Sequence, residues 1–489
     1  MVEGQKGNAF ARAPLTAHLD ACLNKTLGEL DVCNAFRKAD GNPKVTGIAG
    51  DVIEQSVLFL KSNSKQAPDI EVDHDQYEVK TTGLRESKKD ENELEAKEPM
   101  SITAVSPNTI VKEKYRTSAF WHKVEHMLLF YYKYASKTVV PASEYRKFPL
   151  LAYQFHEYSD FSEDEQKTLE NDWVHVRNFI IHLQNTVDDY ESEYGQISHV
   201  LRKDLLLLDT APKWPSNPRF RFKRTFVTSI YRKYVEKKPL AQLPESFNNN
   251  KELEEKCDAL QTAYHGWTVG ELCVKFGIKA AKGLKSITEP IIIRMFGGTA
   301  KKMQDVEFFN KVGIWGKSFV ITKDGRRTED AKFFRIRFDE FLDEEVTFEN
   351  SQFYDFFATA RILVAVFEEP SAKAPLDENR FLHFRMITFD DAFIDDEVRP
   401  VWEKIRDLVR NKTLKDLPIL NADGTPKRNK NGEVSSAPNL PKSSEGIVFV
   451  RGTGVDSSDK RECVNGVRMY CQQVWIKGSY LAELVNQPF

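Results

Sequence analysis

The stretch PDIEVDHDQYEVKTT, from Pro68 to Thr82, decides the fold and the chemistry of this chain. Successive side chains of an extended strand point to opposite faces, so Glu78 and Lys80 project together while their neighbours can be buried on the other side. Asp69 lies across a short turn on the preceding strand and can reach the same face. The stretch therefore predicts a β-hairpin that gathers two carboxylates and one lysine.

Two carboxylates beside a lysine form a site with a specific chemistry. Carboxylate oxygens suit Mg²⁺, which keeps several waters and readily bridges to a phosphate. A lysine next to that ion can orient the attacking water and stabilise the negative charge that develops. The pattern predicts Mg²⁺-dependent phosphodiester hydrolysis at Asp69, Glu78 and Lys80. Short motifs of this kind also occur by chance, and the alternative is an exposed hairpin with solvated charges.

A third acid precedes the hairpin. Glu54 stands in GIAGDVIEQSVLFL, residues 47–60, where it is a single acid among the apolar positions of a predicted helix. A helix that leads directly into the strand can place this carboxylate beside the metal. The alternative is a helix face that exposes Glu54 to water.

Composition limits the class of protein. The chain has 489 residues, which exceeds one compact core, and 70 Lys and Arg against 73 Asp and Glu give a net charge of −3 with no global attraction to nucleic acid. No apolar run approaches the roughly 18 residues of a membrane span, and the first residues lack a secretory apolar segment. Six widely spaced cysteines form no CxxC pair. We expect a cytoplasmic protein with reduced cysteines.

Basic residues cluster in one place. The stretch RFRFKRTFVTSIYRKYVEKK, residues 219–238, has eight Lys and Arg and a single Glu, with aromatic residues between them. Such a strip can neutralise DNA phosphates, and the alternative is a solvated helix or strand face.

The sequence contains the same plan twice. KTLGEL at residues 25–30 recurs as WTVGEL at 267–272, and later blocks follow in the same order. Collinear matches over this length indicate duplication of a domain of roughly 230 residues. The matching later blocks are APDIEV (67–72) and MQDVEF (303–308), YEVKT (77–81) and IWGKS (314–318), SAFWHKVEHMLLFYY (118–132) and SQFYDFFATARILVAVF (351–367), and RFKRTF (221–226) and WIKGSY (475–480).

Proline and asparagine mark the boundary between the halves. Pro239, Pro244 and the run of asparagines at 248–250 interrupt both helix and strand patterns. We predict a domain over residues 1–236, a linker over 237–250 and a second domain over 251–489. Two polar segments, 85–99 and 421–444, are expected to be long loops.

Each half is predicted to be mixed α and β. Helical periodicity covers residues 45–60, 118–135 and 162–183, whereas 77–82 and 203–208 have the pattern of strands.

At this point the residues resemble a known family. TLGEL, GIAGDVIE, the hairpin with YEVKTT, the His122–Lys123 pair and RFKRTF look like the MutH-type GATC endonucleases, within the PD-(D/E)xK nuclease superfamily. The resemblance covers nearly all of residues 15–235. It implies two tandem MutH-like domains in an α/β (mixed α+β) chain, an arrangement similar to GATC-specific type II restriction endonucleases of a IIE-like kind.

The resemblance also implies roles for individual residues. The active-site positions of the family fall on Glu54, Asp69, Glu78, Lys80 and Lys123. Asp69 and Glu78 would bind Mg²⁺ with help from Glu54. Base reading would fall to Lys213, which follows Pro212 after a strand, while Ala211 stands where the family has an arginine. A lysine at that place can read guanine O6 and N7. The other implied DNA contacts of this half are Arg221, Lys223 and Arg224.

The second half is predicted to bind DNA without cutting it. Alignment of the halves puts Trp315 at the position of Glu78, Phe356 at that of Lys123, and an apolar residue near Ile293 at that of Glu54. Only Asp305 and Lys317 remain, and one carboxylate cannot hold a catalytic Mg²⁺. Arg451, expected on a recognition loop, and Lys477, on the second basic strip, retain the DNA contacts. We expect a regulatory GATC-binding domain, the alternative being a domain kept for folding or dimerisation.

The sequence thus favours a type II restriction endonuclease that cleaves GATC in double-stranded DNA. We expect the protein to be a monomer in the absence of DNA, and dimerisation on DNA is left open. Two alternatives remain. One is a mismatch-repair-type nicking endonuclease, and the other is a non-catalytic DNA-binding protein, which the intact acid, acid and lysine set disfavours.

Overall fold

The structure is a computed structural model, and it describes residues 2–40, 45, 47–61, 67–87, 92–136, 140–195, 197, 201–211, 218–238, 240–279, 287–327, 329–344, 346–372, 374–429, 432–456 and 459–486.

The described residues form these strands: β1 (Ala9–Phe10), β2 (Ile70–Val72), β3 (Asp75–Glu86), β4 (Leu94–Ala96), β5 (Met100–Ala104), β6 (His126–Lys133), β7 (Leu150–Glu157), β8 (Leu208–Ala211), β9 (Arg219–Phe222), β10 (Ile314–Ile321), β11 (Ala331–Arg335), β12 (Arg361–Glu368), β13 (Arg380–Ile387), β14 (Asp416–Pro418), β15 (Ser436–Pro438), β16 (Val448–Thr453), β17 (Glu462–Val464), β18 (Val467–Met469) and β19 (Cys471–Ile476).

The α-helices are α1 (Arg12–Asp20), α2 (Leu27–Leu30), α3 (Ile48–Val52), α4 (Pro107–Ile110), α5 (Ala119–Val124), α6 (Glu163–Thr186), α7 (Arg224–Ile230), α8 (Asn250–Tyr264), α9 (Val269–Phe276), α10 (Thr288–Met295), α11 (Glu307–Val312), α12 (Asp339–Leu342), α13 (Gln352–Thr359), α14 (Asp391–Phe393), α15 (Arg399–Arg410) and α16 (Gly478–Asn486). Single π-helical turns follow three of them, at Ile53–Val57, Tyr231–Val235 and Ile394–Val398.

The chain divides into two compact units. The first comprises Met1–Ser136, Val140–Lys256 and Phe296–Gly313, and the second comprises Lys137–Val139, Cys257–Met295 and Ile314–Phe489. The segment Phe296–Gly313, which the sequence places between α10 and β10, thus packs with the first unit.

A mixed sheet organises the first unit. Its strand order is β1-β2-β3-β6-β7, with β4 also paired to β3, and β3 runs parallel to β6 while β6 runs antiparallel to β7. One face packs on a core that includes Leu15, Leu19, Val52 and Ile53 from the helices α1 and α3 and the turn that follows α3. A second sheet, β5-β9-β8, is antiparallel.

The helix predicted over residues 118–135 is wrong for most of its length. The helix ends at Val124, and His126–Lys133 is the central strand β6. Residues 127–132 are buried, because β3 and β7 flank the strand and both faces of the sheet are covered. A continuous apolar run fits a doubly buried strand as well as a buried helix, so periodicity could not separate the two.

Other sequence expectations are closer. The predicted helices at 45–60 and 162–183 correspond to α3 with its π turn and to α6, and 77–82 lies within β3. The strand predicted over 203–208 begins only at Leu208. The predicted loop at 421–444 contains β15, which pairs with β14, and Arg428 forms a bridge with Val434.

Two of the sheets in the described part of the second unit resemble parts of those in the first. β10 runs parallel to β12, which runs antiparallel to β13, and β11-β19-β16 is antiparallel throughout. The register shifts between Val366 and Phe367 on β12, as it does between Tyr131 and Tyr132 on β6. Within the described residues, no helix combines the length and apolar character that a bilayer span requires.

In both units a short helix begins in close contact with another backbone segment. Thr26 begins α2 with a capping box to Glu29, and Thr268 begins α9 with a capping box to Glu271. The second residue of each helix is a glycine whose Cβ would meet a backbone carbonyl, at 2.9 Å for Gly28 and 3.2 Å for Gly270. Each helix therefore begins close against another backbone segment of its own unit.

Candidate active site

The β2–β3 hairpin positions Asp69. Its tight turn has positive φ at Asp73 and His74, and Ile70 pairs with Tyr77. The backbone N–H of Asp69 donates to the Tyr77 carbonyl at 3.0 Å, and its carboxylate Oδ2 accepts the N–H of Val79 at 2.9 Å. The carboxylate is thereby fixed beside the residue that follows Glu78.

Glu78 lies between two lysines. It is only 3% exposed, because β3 is an inner strand of the sheet. Its Oε1 accepts from Lys80 Nζ at 2.6 Å and its Oε2 accepts from Lys123 Nζ at 2.5 Å. A buried carboxylate is tolerated when it is paired and hydrogen-bonded on both oxygens.

Helix α5 positions Lys123. Ser118 caps the helix by accepting the N–H of Trp121 at 3.1 Å, and the short helix ends beside β6. Lys123 is 8% exposed, and its Nζ also donates to the Ala67 carbonyl at 3.1 Å. The lysine therefore ties the start of the hairpin to Glu78.

Glu54 approaches the same place from the π turn after α3. Burial, together with the nearby carboxylates of Asp69 and Asp51, raises the pKa of its carboxyl to about 7, while Lys80 opposes the rise. The pKa of Asp69 is also raised, by burial and then by Glu78. Among the described residues, none donates a hydrogen bond to the Glu54 side chain. Glu54 and Asp69 thus face each other with negative charge that is only partly compensated.

This donor set fits a Mg²⁺ ion. Within the described residues no group of three or more His, Cys, Asp or Glu is arranged to hold a metal by itself. Mg²⁺ commonly binds through one or two carboxylates together with waters and substrate phosphate. Asp69 and Glu78 meet that requirement, and the raised pKa values show that a cation at this place would relieve repulsion.

A shallow depression of about 350 Å³ adjoins the site. It contains the sequence neighbours of two site residues, Pro68 before Asp69 and His122 before Lys123. The remaining lining residues are His74, Asp75, Gln76, Glu125 and His126.

The basic stretch 219–238 does not form one continuous strip. It spans β9, α7 and the following π turn, and acids pair with several of its cations: Arg221 with Asp209 at 2.6 Å, Arg232 with Glu93 at 2.8 Å, Lys233 with Glu165 at 3.6 Å and Lys238 with Glu236 at 3.3 Å. Alternating strand positions and a helix distribute these charges over several directions, and their contact with DNA phosphates stays a prediction.

The other predicted DNA contacts are placed as follows. Lys223 Nζ donates to the Leu205 carbonyl, and Arg224 begins α7. Lys213 lies outside the described residues. The backbone that follows Arg221 is also tied to the residue before β8. The Lys223 N–H donates to the Leu207 carbonyl at 2.9 Å.

In the second unit Arg451 lies on strand β16, so its predicted position on a loop is wrong. Its guanidinium pairs with Asp330 at 2.7 Å and stacks over Trp475 at 4.9 Å. Lys477 follows β19, and its N–H donates to the Ile447 carbonyl at 3.0 Å. The backbone contact of Lys477 has the same form as that of Lys223.

The strand register identifies the residues of the second unit at the positions of the Glu78–Lys123 ion pair. Trp315 pairs with Ile362 on β12, as Glu78 pairs with Met127 on β6. The rings of Trp315 and Phe356 lie edge to face with centroids 5.5 Å apart. Two residues on, Lys317 donates to the Lys332 carbonyl, and burial lowers the pKa of its ammonium to about 8.

Asp305 and Ile293 complete the comparison of the halves. Asp305 ends a 3₁₀ turn within the first unit, ahead of helix α11, whereas Asp69 immediately precedes a strand. The sequence equivalence of these two aspartates is therefore not matched by their local structure. Ile293 is fully buried in α10.

The sequence did not indicate four residues that connect the site to its surroundings. The Tyr77 hydroxyl donates to Glu157 on β7, Arg12 donates to the same hydroxyl at 3.0 Å, and His126 also contacts Glu157. These residues are up to 145 positions apart in the chain, so no local pattern could have shown them together. Tyr77 itself was predicted only as a buried strand residue.

The segment that carries Asp69, Glu78 and the two lysines is similar to a known family. Residues 58–172 match the family described as DNA mismatch repair enzyme MutH, a range that includes Asp69, Glu78, Lys80 and Lys123 but not Glu54. This segment is a MutH family domain. Over 415 residues the chain is also 22% identical to the type II restriction enzyme Sau3AI of Staphylococcus aureus, covering 79% of this chain and 81% of that relative.

Proposed function

We propose that this protein is a type II restriction endonuclease that cleaves double-stranded DNA at GATC by Mg²⁺-dependent phosphodiester hydrolysis. The observation that carries the proposal is the Glu78 carboxylate held between Lys80 and Lys123 beside Asp69, inside the segment that matches MutH. Similarity to a restriction enzyme along most of both chains supports the type of nuclease. The GATC sequence rests on the family resemblance.

Asp69 and Glu78 would hold Mg²⁺, with Glu54 as an assisting carboxylate. When bound, the ion supplies Lewis-acid activation of the phosphate and of a water nucleophile. Lys80 orients that water and balances the negative charge of the reacting phosphate. Lys123 holds the second oxygen of Glu78 and so keeps its carboxylate turned toward Asp69.

DNA recognition is assigned to the end of β8 and to β9. Lys213 reads guanine O6 and N7 in the major groove, as the family resemblance implies. Arg221, Lys223 and Arg224 supply contacts to the DNA from β9 and the start of α7. Because Arg221 is paired with Asp209, it exchanges that partner for DNA on binding.

The second unit is proposed to be a MutH-like domain that binds a second GATC site and regulates the first. Its sheet β10-β12-β13 repeats the topology and the register shift of β3-β6-β7 in the first unit. Trp315 and Phe356 fill the place of the carboxylate and lysine pair, so this domain has no means of holding a catalytic ion. Arg451 and Lys477 are its proposed DNA contacts, and residues 1–236 and 251–489 are the proposed domains.

Two alternative functions can be distinguished from this one by their DNA products. A mismatch-repair-type nickase would cut one strand, and a non-catalytic DNA-binding protein would cut neither. The test is incubation of the protein with unmethylated and GATC-methylated plasmid and Mg²⁺, followed by sequencing of the ends. Double-strand breaks at every GATC are expected, single-strand nicks indicate the nickase, and uncut plasmid overturns the proposal.

Two variants and one control test the residues assigned to the active site. Asp69→Asn and Lys80→Ala should reduce cleavage by at least 100-fold while GATC binding in Ca²⁺ is retained, because both residues serve metal and water and not the bases. Glu71→Gln, an exposed acid on the same hairpin, is the control and should cleave normally. Full-rate cleavage by Asp69→Asn contradicts the assigned site.

A further inference from the structure

Four side chains form a hydrogen-bonded cluster at the strand ends below the candidate active site. Glu157, the last residue of β7, accepts from the Tyr77 hydroxyl with one oxygen and contacts His126 Nδ1 with the other. Arg12 Nη1 donates to the same hydroxyl at 3.0 Å and stacks over Phe155 at 3.5 Å. Because a carboxylate only accepts, His126 carries its proton on Nδ1.

The cluster joins the elements that position the metal-binding carboxylates. Tyr77 directly precedes Glu78, and its backbone carbonyl accepts the N–H of Asp69 at 3.0 Å. His126 begins β6, next to Met127, which pairs with Glu78 across the sheet. The Arg12 N–H donates to Asp73 Oδ1 at 3.1 Å, in the turn of the hairpin that carries Asp69.

The cluster is rigid by its packing. Tyr77 is 2% exposed, and its ring lies against His126 at 5.2 Å and edge-on to Phe155 at 5.6 Å. Burial and the bond to Glu157 raise the pKa of the Tyr77 hydroxyl to about 12, so the hydroxyl stays a donor at neutral pH. The buried Tyr77 ring and the hydrogen bonds to its hydroxyl favour one arrangement of this partly buried network.

We propose that Tyr77, Glu157 and His126 form a positioning network that sets the separation of the Asp69 and Glu78 carboxylates and thereby the affinity of the site for Mg²⁺. The inference rests on the proposed function, because it concerns the metal of that same site. Tyr77 faces away from Glu78 across the strand, so its hydroxyl acts on the site through the backbone of β3. Supporting residues of this kind change metal affinity or activity by roughly 10- to 100-fold when they are lost.

The decisive variant is Tyr77→Phe, which keeps the ring and removes only the hydroxyl. Tyr153→Phe is the matched control, because Tyr153 lies on β7 of the same sheet and its hydroxyl also donates to a carboxylate, Asp20 Oδ1, at 2.6 Å. Two quantities are measured on each full-length protein. One is the Mg²⁺ concentration that gives half-maximal cleavage of a GATC duplex, and the other is Mn²⁺ binding, followed through the electron paramagnetic resonance of the free ion.

Tyr77→Phe should raise the half-maximal Mg²⁺ concentration and the Mn²⁺ dissociation constant about 10-fold, with the rate recovered at saturating metal. Tyr153→Phe should change neither. Glu157→Gln, which keeps the size of the side chain, should produce a rise of the same kind. Equal metal binding by Tyr77→Phe and Tyr153→Phe overturns the positioning role even when both proteins cleave DNA.

A loss of rate in Tyr77→Phe that excess Mg²⁺ does not restore also overturns the proposal, because it indicates general loss of structure. Failure of the underlying function has a different signature, since the wild-type protein would then leave GATC DNA uncut at every Mg²⁺ concentration while the comparison of Mn²⁺ affinities could still be made.

Discussion

Glu54 carries the largest electrostatic strain of the site. Its pKa of about 7 lies well above the usual value for a glutamate, first because it is buried and then because Asp69 and Asp51 are near. An acid whose pKa is raised by folding binds more protons in the native state than in the unfolded state between about pH 4.5 and 7. The free energy of unfolding therefore falls as pH rises through that window.

The first prediction concerns this residue and the metal-free protein. Glu54→Gln should remove most of that fall and should be more stable than the wild type at pH 8 by about 2 kcal/mol, less than the full shift because Glu54 is partly solvated. Urea unfolding at pH 5 and pH 8 in EDTA measures it. Glu71→Gln is the control, and parallel pH slopes for wild type and Glu54→Gln would contradict the prediction.

The second residue-scale prediction concerns base reading. Lys213→Ala should weaken discrimination between GATC and altered sites by about 1–3 kcal/mol, whereas Lys223→Ala should weaken binding to all sequences and flatten its salt dependence. Competition binding in Ca²⁺ at two salt concentrations separates the two effects. Equal losses on specific and random DNA for both variants would show that the division between the two lysines is wrong.

Local pattern was enough for part of the site only. Alternation along one strand places Glu78 and Lys80 on one face, and the structure pairs them. Lys123 is 45 residues further along, and the sequence offered it only through the family resemblance. The cluster of Tyr77, Glu157 and His126 depends on the pairing of three strands, and side-chain contacts across a sheet are not encoded in any one segment.

At the scale of elements, α6 and β8 are joined by one buried carboxylate. Asp172 accepts the N–H groups of Leu206, Leu207 and Leu208 at 2.8–3.1 Å. Leu206 and Leu207 precede β8, and the carboxylate supplies an acceptor for their buried N–H groups.

We therefore predict that Asp172→Ala lowers the free energy of unfolding by about 3 kcal/mol or more, because it leaves several buried N–H groups without an acceptor. Denaturant unfolding measures the loss. Lys167→Ala, an exposed position of the same helix, should change stability by less than about 0.5 kcal/mol. A loss for Asp172→Ala as small as that of the control would mean that water replaces the carboxylate.

Element boundaries also show where sequence patterns fail. The run at 127–132 was predicted as helix and is a strand, since both faces of β6 are covered and alternation is lost. The polar segment at 421–444 was predicted as a loop but contains β15, which backbone hydrogen bonds and the bond from the Ser436 hydroxyl to Asp416 join to β14. Neither the apolar run nor the polar composition of a segment indicates which strand will pair with it.

At the scale of the whole molecule, the β10-β12-β13 sheet of the second unit repeats the strand order of β3-β6-β7 but has different residues at the position of the charged pair. In both units the first strand, β3 or β10, pairs in parallel with the second, β6 or β12, which pairs antiparallel with the third. One residue of the first strand then lies against the helix that precedes the second strand. The first unit has Glu78 and Lys123 there, and the second has Trp315 and Phe356. We therefore propose that the second unit binds DNA without hydrolysing it.

The last prediction follows from that difference. If the second unit binds GATC and favours the active state of the first, a linear DNA with two GATC sites should be cut faster than a DNA with one site. A short uncleaved GATC duplex added in trans should accelerate cleavage of the one-site DNA by about 5- to 150-fold, the range of typical coupling free energies. A duplex of scrambled sequence is the control, and Lys477→Ala should raise the concentration of GATC duplex needed for half-maximal acceleration. Identical rates with the GATC and scrambled duplexes would show that the second unit serves folding or dimerisation, because a ligand that binds both states equally shifts no equilibrium.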